Sequence, residues 1–492
     1  MKTVILSSVF LFLNYSSFAQ DSITVLAAPH GFKERHKAIS YYNKYNQQIH
    51  IDLEYENKIT RQLYDNSFRL LKEYTIGKDG YFYTGHRDTL NFASEMIIGN
   101  GVFEIFRDRD DIVVYHIDFE KKNDEKVFEL RLRQNEFDER MLAVLPGKNN
   151  LRIIGYSAKK DKLNLYTWSP GENIKKKTFD LPEHNLSPKE EKKFGNLNKI
   201  KFKKYLNYFP VNRTDMEYPI NIPGGGKVFY NDEKTYIGIM MPNYLGVYLM
   251  EIDDIGIKHH NFFVNDGLSV AQTDYYKAKR PFFTVFDSLL IINNSSSYQF
   301  EFLFYSLNTD QQIKKYSVPV KDSLNKLVHS QLIQKGTYGS RNQEKVLENE
   351  KRFMLRMIDG SQFLTLSGIS TDSLTITFGS YNQTAGLGGT LLALGTGMLS
   401  SLAFLNVNNA HLIFYITSTR NKFLYSHSKF SKTSFTPSAN QHVITITDKL
   451  LDDIDVKEIA SSSTFLVQVN NDYYIGPYNK QIDKFKVFKY SK

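Results

Sequence analysis

The feature that most constrains the fold of this chain is a strand pattern that recurs about every fifty residues. Tyr64 and Tyr115 are 51 residues apart, and Tyr115 and Tyr166 are again 51 apart. Tyr248 and Tyr305 follow with a spacing of 57. Each tyrosine lies in a short apolar run bounded by polar turns, which is typical of an antiparallel strand. The spacing indicates one supersecondary unit that is copied along the chain.

Five segments show the repeated strand most clearly, each with an aromatic residue near its centre. They are residues 113–117, 164–168, 247–251, 302–306 and 422–426. Weaker markers lie at Ile376, Tyr425 and Tyr474, spaced 49 residues apart. Counting the markers predicts seven or eight units. Tyr and Phe favour pleated, half-buried surfaces, and 32 Tyr with 36 Phe agree with a β-rich chain.

One blade of a β-propeller, four strands with their loops, needs roughly 40 to 50 residues. The chain therefore resembles β-propeller repeat proteins in general, although it lacks the Gly-His and Trp-Asp signature of WD40 blades and the kelch double glycine. We expect an all-β fold, a propeller of about seven blades (six to eight), formed as a single domain by residues 20–492. Two consecutive β-sandwiches are the alternative, because their strands also recur at short intervals.

The first 19 residues are predicted to be a secretory signal peptide. Lys2 supplies a positive charge, residues 4–13 form a short apolar run, and Ser17 and Ala19 are the small residues before a cleavage site at Gln20. We expect an exported protein of the periplasm, the outer membrane or the cell surface. The chain has no cysteine, which excludes disulfides and a lipoprotein anchor.

A charged insertion near residues 182–212 interrupts the strand pattern. Ser187 and Pro188 followed by acidic residues indicate a helix start. The stretch 172–204 holds ten Lys and five acidic residues, within a chain of formal net charge +9. It is either a solvated surface insertion or an electrostatic docking arm for an anionic surface. The candidate contacts for such a surface are Lys192, Lys193, Lys199, Lys201, Lys203 and Lys204. A further short charged helix is predicted at residues 343–356, and we assign it no role.

The second insertion, near residues 383–408, is apolar and rich in glycine. No Asp, Glu, Lys or Arg occurs from Ser373 to Thr419. On a helix, the small residues of 385–405 recur every fourth position and would form one ridge, a pattern that lets two helices approach closely. The ridge comprises Ala385, Gly389, Ala393, Gly397 and Ser401. The candidate partner-binding residues are Gly389, Leu391, Ala393, Leu394, Gly397, Met398, Ser401 and Leu402.

A single membrane crossing fits this insertion poorly, because strand-like segments precede and follow it. A helix of 20 residues is about 30 Å long, and the short linker after it could not return across a bilayer. Three interpretations remain open: a plug or cap of the protein's own fold, a docking element for a partner protein, and shallow insertion into a membrane surface.

A search for catalytic chemistry finds no zinc-protease, nucleophile-elbow, phosphate-loop or EF-hand motif. The neighbours His259 and His260 would point to opposite faces of a strand, which argues against a shared metal. Propeller glycosidases use carboxylates from different blades, and Asp118, Glu251 and Asp287 lie near equivalent edges, although nothing selects them. We expect no cofactor, no metal and no nucleic-acid partner.

The sequence therefore predicts a non-catalytic binding or scaffold protein of the bacterial cell envelope, whose partner is an outer-membrane or periplasmic protein of the envelope, with peripheral contact to an anionic membrane surface. The alternative is a carbohydrate-binding or glycan-hydrolysing propeller that uses channel carboxylates and aromatic platforms.

Overall fold

The computed structural model describes a large part of the chain, and the account below concerns those residues alone. They are residues 23–33, 36–43, 46–56, 58–77, 91–98, 101–108, 111–132, 139–157, 159–160, 162–180, 211–214, 226–241, 246–253, 255–264, 279–322, 324–338, 341–342, 345–383, 421–438, 463–470 and 472–491.

The described residues form seven β-sheets, and four of them are runs of antiparallel strands joined in chain order. By contact density the chain divides into two compact units. Unit one comprises Met1–Tyr81, Ile413–Ser418 and Asp448–Lys492, and unit two comprises Phe82–Leu412 and Thr419–Thr447. We number the sheets as blades 1 to 7 by the position of their inner strand in the sequence.

Unit one contains blades 1 and 7. The strands of blade 1, in order, are β2 (Lys37–Asn43), β3 (Gln48–Tyr55), β4 (Lys58–Asp65) and β5 (Leu70–Gly77). Blade 7 joins the two ends of the chain, with β1 (Thr24–Ala27) beside β31 (Lys484–Ser491), then β30 (Asp472–Asn479) and β29 (Thr464–Val469). The N-terminal strand is therefore the outer strand of the last blade, and Leu26 lies opposite Phe485.

The core of unit one lies between its two blades. Ile49, Ile51 and Leu53 of β3 pack in one apolar cluster with Phe465 and Val487 of blade 7. The Ser40 hydroxyl donates to the Leu466 carbonyl at 2.9 Å and so joins the inner strands β2 and β29. Alternate residues of a strand face opposite sides of its sheet, so one blade can bury both faces only by packing between two others.

Unit two contains blades 2 to 6. Blade 2 consists of β6 (Asn91–Ile98), β7 (Gly101–Asp108), β8 (Asp111–Asp118) and β9 (Asn123–Arg131). Blade 3 consists of β10 (Glu139–Pro146), β11 (Leu151–Ser157), β12 (Lys162–Trp168) and β13 (Lys175–Asp180). Blade 4 consists of β15 (Gly226–Tyr230), β16 (Thr235–Met240), β17 (Gly246–Ile252) and β18 (Ile257–Phe263), with β14 (Val211–Arg213) parallel to β15.

Blades 5 and 6 complete unit two. Blade 5 consists of β19 (Arg280–Phe286), β20 (Leu289–Ser295), β21 (Gln299–Ser306) and β22 (Gln312–Pro319). Two short 3-10 helices follow, Val320–Asp322 and Leu324–Lys326. Blade 6 consists of β26 (Ser361–Ile369), β27 (Ser373–Gln383), β28 (Asn421–Ser431) and β23 (Ile333–Tyr338), with β24 (Arg341–Asn342) and β25 (Lys345–Val346) beside β23. The outer strand of blade 6, β23, therefore precedes the inner strand, β26, in the sequence.

Burial follows strand position within a blade. Every residue of β11 is buried, whereas the next strand but one, β13, has five exposed residues out of six. The same contrast separates β20 from β22. Inner and middle strands packed on both faces and solvated outer strands characterise radially arranged blades. The fold is a β-propeller with seven blades, as the repeat predicts, rather than a pair of sandwiches.

The tyrosine repeat marks the third strand of successive blades. Ile376, in contrast, lies in the second strand of the blade whose third strand contains Tyr425, so these two markers belong to one sheet and the count is seven. Tyr474 lies in the second strand of blade 7. The third-strand markers are Tyr64 in β4, Tyr115 in β8, Tyr166 in β12, Tyr248 in β17, Tyr305 in β21 and Tyr425 in β28.

The predicted helix at 343–356 is present, but it begins and ends later. Helix α1 spans Glu350–Asp359, and the Asn349 side chain accepts a hydrogen bond from the Arg352 N–H as its N-cap. The helix is short and carries several charges, and no helix among the described residues is long and apolar enough to cross a membrane. Most of the charged insertion at 182–212 lies outside the described residues, and its last two residues belong to β14.

Candidate functional site

The apolar insertion is joined to the fold through a single β-hairpin of blade 6. Strands β27 and β28 pair along their whole length, and the last paired residues are Gln383 and Asn421. Residues 384–420 connect these two paired residues in the sequence. The insertion itself lies outside the described residues, as do all eight candidate partner-binding residues between Gly389 and Leu402 and the six candidate lysines between Lys192 and Lys204.

The hairpin is held by a neighbouring strand on each side. The inner strand β26 pairs with β27 up to the rung between Ser361 and Tyr381, and β23 pairs with β28 from Gly336 to Ile333. The rungs at Asn382 and Gln383 lie beyond the end of β26, so the tip extends past the inner strand. Because Lys422 pairs with Gly336, only the rung of Gln383 and Asn421 lies beyond both neighbouring strands at this end of the hairpin.

Aromatic packing fixes the base of the hairpin. The ring centroid of Phe378 in β27 lies 4.9 Å from that of Phe300 and 5.9 Å from that of Phe302 in blade 5. It also lies 6.2 Å from the ring of Phe353 in α1, at an interplanar angle of 86°. Offset and edge-to-face pairs of this kind add about 0.5–1.5 kcal/mol each beyond the area they bury. Blade 5, blade 6 and α1 therefore share one core at the base of the hairpin.

A seam of serine and histidine side chains joins β28 to the segment before β23. The Ser330 hydroxyl accepts from the His427 N–H at 2.9 Å, and His329 Nδ1 accepts from the Lys429 N–H at 2.9 Å. Within the hairpin, His427 Nδ1 and the Thr377 hydroxyl are 2.7 Å apart. Burial, with a smaller contribution from Lys429, lowers the pKa of His329, which keeps its ring neutral and able to accept.

A second polar cluster connects blades 4 and 5. Lys234 Nζ lies 2.6 Å from Glu251 Oε1, and His260 Nε2 lies 3.1 Å from Glu251 Oε2. The other ring nitrogen of His260 contacts the Asp310 carboxylate. His259 lies on the other face of β18 and contacts the Tyr248 hydroxyl, as the strand alternation predicts.

Two further carboxylates are almost fully buried. Glu301 contacts Lys279 Nζ at 3.0 Å and Lys315 Nζ at 3.4 Å. Glu139 accepts from the Tyr166 hydroxyl at 2.8 Å and contacts Lys176 Nζ at 3.5 Å. Burial and then the Glu139 carboxylate raise the pKa of Tyr166 well above its ordinary range.

These pairings bear on the glycan-hydrolysing alternative. Glu139, Glu251 and Glu301 each have a cationic partner, which suits a structural ion pair better than a general acid that needs a raised pKa. Asp118 instead accepts the Glu120 and Lys121 N–H groups, which lowers its pKa. In the part of the chain that the structure describes, no group of three His, Cys, Asp or Glu is placed to hold a metal ion.

One buried amine is the structural feature that sequence reasoning missed. Lys227 in β15 is 3% exposed and donates to the Phe283 carbonyl of β19 at 3.0 Å, with its Nζ 5.5 Å from the centroid of that ring. Burial lowers its pKa to about 7. No sequence signal distinguishes it from the many other lysines, because its environment is supplied by a different blade.

Comparison with known proteins adds no family. No family model matches the chain, and no curated protein matches it. Among solved structures, the Nup133 β-propeller domain of Vanderwaltozyma polyspora is 11% identical, with 97% of this chain and 99% of that chain covered and a TM-score of 0.39. Saccharomyces cerevisiae Sqt1 is 8% identical, with 96% and 100% covered and a TM-score of 0.33. The SapL1 lectin, solved with alpha methyl fucoside, is 8% identical, with 71% and 90% covered and a TM-score of 0.27.

Proposed function

We propose that this chain is a non-catalytic binding or scaffold protein of the bacterial cell envelope, which docks to an outer-membrane or periplasmic partner through the apolar insertion near residues 383–408. The observation that carries the proposal is the single rung, Gln383 opposite Asn421, through which an uncharged run reaching to Thr419 joins the blade. A long apolar run on a folded protein is an interaction site when it is exposed.

The described surroundings of the hairpin support this role. A docking element works best on a base whose side chains are fixed by packing. Strands β23 and β26, helix α1 and the ring of Phe378 provide such a base. The location in the envelope rests on the signal peptide predicted for residues 1–19. The six lysines between Lys192 and Lys204 are proposed as an additional contact to anionic surfaces.

The test is a variant in which Asn-Gly replaces residues 384–420 and joins Gln383 directly to Asn421. Those two residues are already paired, and Asn-Gly closes a two-residue hairpin without strain. We expect the variant to keep the β signal in circular dichroism and its unfolding midpoint. We also expect it to lose the partner that copurifies with the full-length chain from detergent-solubilised envelopes.

A matched control replaces residues 265–278, which connect blades 4 and 5, by a Gly-Ser segment of equal length. This variant should retain the partner. Unfolding of the closed-hairpin variant would mean that the insertion is part of the core. Retention of the same partner by that variant would remove the docking role.

A further inference from the structure

Two buried amides between blades 5 and 6 have unused hydrogen-bonding capacity. Asn293 in β20 is fully buried, and among the described residues neither its Oδ1 nor its Nδ2 has a hydrogen-bond partner. The Nε2 atom of Gln362 in β26 is also buried and has none within the described part of the chain. Most buried polar groups in folded proteins are hydrogen-bonded, so these two orphaned amides need a physical account.

Strand alternation directs both amides into the same interface. Ile291 and Leu364 belong to one apolar core, and Asn293 and Gln362 lie two residues away on the same faces of β20 and β26. Both residues lie toward the end of the blades at which β20 turns into β21. By the same alternation Ser380 shares the face of Phe378 in β27, and its hydroxyl donates to the Arg356 carbonyl of α1 at 3.3 Å.

Aromatic rings form several walls of this region. Phe302 lies directly opposite Asn293 in the sheet, and Phe300, Phe353 and Phe378 belong to the same core. None of these rings replaces the hydrogen bonds that an amide loses when it leaves water. A partner small enough to fit among close-packed side chains, and able both to donate and to accept, must therefore come from solvent.

We propose that one or two ordered water molecules are bound between blades 5 and 6, held by the Asn293 carboxamide and by Gln362 Nε2. A water that accepts from Gln362 Nε2 donates to Asn293 Oδ1, and the Ser380 oxygen accepts its second hydrogen. A second water accepts from Asn293 Nδ2. Buried waters typically make about three such bonds, and removing them is costly. The site makes hydration an integral part of the support beneath α1.

A double-mutant cycle tests the shared water. Asn293→Leu and Gln362→Leu each leave the water short of a partner, so each is expected to raise the equilibrium constant of unfolding in urea roughly tenfold. Because both remove the same bridge, the double variant should raise it far less than the roughly hundredfold product of independent effects. If Asn293→Leu lowers the unfolding constant, the amide is dry and the proposal fails. Independent effects of the two changes would equally refute a shared water.

The matched control is Asn294→Leu. Asn294 faces the opposite side of β20 and donates to Glu301 at 3.2 Å, so its effect should combine independently with that of Gln362→Leu. A second measurement keeps the proposal open to refutation if a variant fails to fold. A high-resolution crystal structure of the unaltered protein should contain a water peak about 3 Å from Asn293 Oδ1 or Nδ2. A direct amide-to-amide bond there, or a dry site, would overturn the proposal.

Discussion

At the scale of single residues, several buried charges in the described part of the chain lie in ion pairs. Arg61 in β4 is fully buried with its Nη1 atom 2.7 Å from the Asp52 carboxylate, and Glu139, Glu251 and Glu301 each have a cationic neighbour. Breaking such a pair leaves one uncompensated charge in a low-dielectric interior, which costs more than the pair contributes. Lys227 differs from these groups, because its described contacts are a carbonyl and a ring face.

Lys227 should make the stability of the protein depend on pH. Its folded pKa of about 7 lies below its ordinary 10.5, so between these values the unfolded chain binds more protons. The free energy of unfolding therefore rises with pH in that window, by at most about 1.4 kcal/mol per pH unit for one group. The Lys227→Met variant lacks this pH dependence. It should be more stable than the unaltered protein at pH 7, and the difference between their free energies of unfolding should be smaller at pH 9.

Urea denaturation of both proteins at pH 7, 8 and 9 measures the effect. Burial raises the pKa of Tyr64 well above this window, and Tyr64 is present in both proteins. Curves that stay parallel from pH 7 to pH 9 would show that the Lys227 amine titrates normally.

At the scale of elements, the hairpin β27–β28 depends on one close backbone approach. A Cβ atom added to Gly379 would lie 1.9 Å from the Leu424 carbonyl oxygen and 2.8 Å from the Tyr425 Cα. Backbone atoms cannot move aside as the end of a flexible side chain can. The two strands therefore pair at this rung only with glycine in position 379.

Gly379→Ala should destabilise the protein by roughly 1–3 kcal/mol, the usual cost of overpacking a well-packed site. Thermal unfolding followed by circular dichroism provides the measurement. Gly77→Ala is the matched control, since an added Cβ there meets no atom within 4 Å. Equal stability of the two variants would mean that the hairpin is not packed as described.

Much of the element order was predictable, because a four-stranded meander buries its third strand in the same way in every blade. The tyrosines from Tyr64 to Tyr305 report that burial. Ile376 was counted as the marker of an additional blade, because second strands are as apolar as third strands. The outer strand of blade 6 was not predictable. It precedes the inner strand in the chain, and pairing between distant segments leaves no local pattern.

The polar clusters could not be predicted from the sequence for a similar reason. His260 and Asp310 are 50 residues apart and belong to different blades. Short-range motifs record only neighbours in sequence, so the partners of Glu251 and Lys227 emerge once the blades are packed. The insertions, in contrast, were visible directly, because a run free of charge breaks the alternation of the strands on either side.

At the scale of the whole molecule, the proposed role of the propeller is that of a scaffold that presents the apolar insertion near residues 383–408 to a partner. The blades supply the supports, namely the paired rungs, the aromatic core and the serine and histidine seam. Nothing in that role needs a catalytic group, a cofactor or a metal. The central claim is therefore about what residues 384–420 contact in the envelope.

Site-specific photo-crosslinking in living cells measures that contact directly. A photoreactive phenylalanine analogue is placed at Leu391, Leu394 or Met398 in the insertion, and at Ile255, which is 90% exposed, as a surface control. The account predicts that the three insertion positions crosslink to one envelope protein and that Ile255 does not. Crosslinks confined to the chain itself, or to lipid, would contradict it.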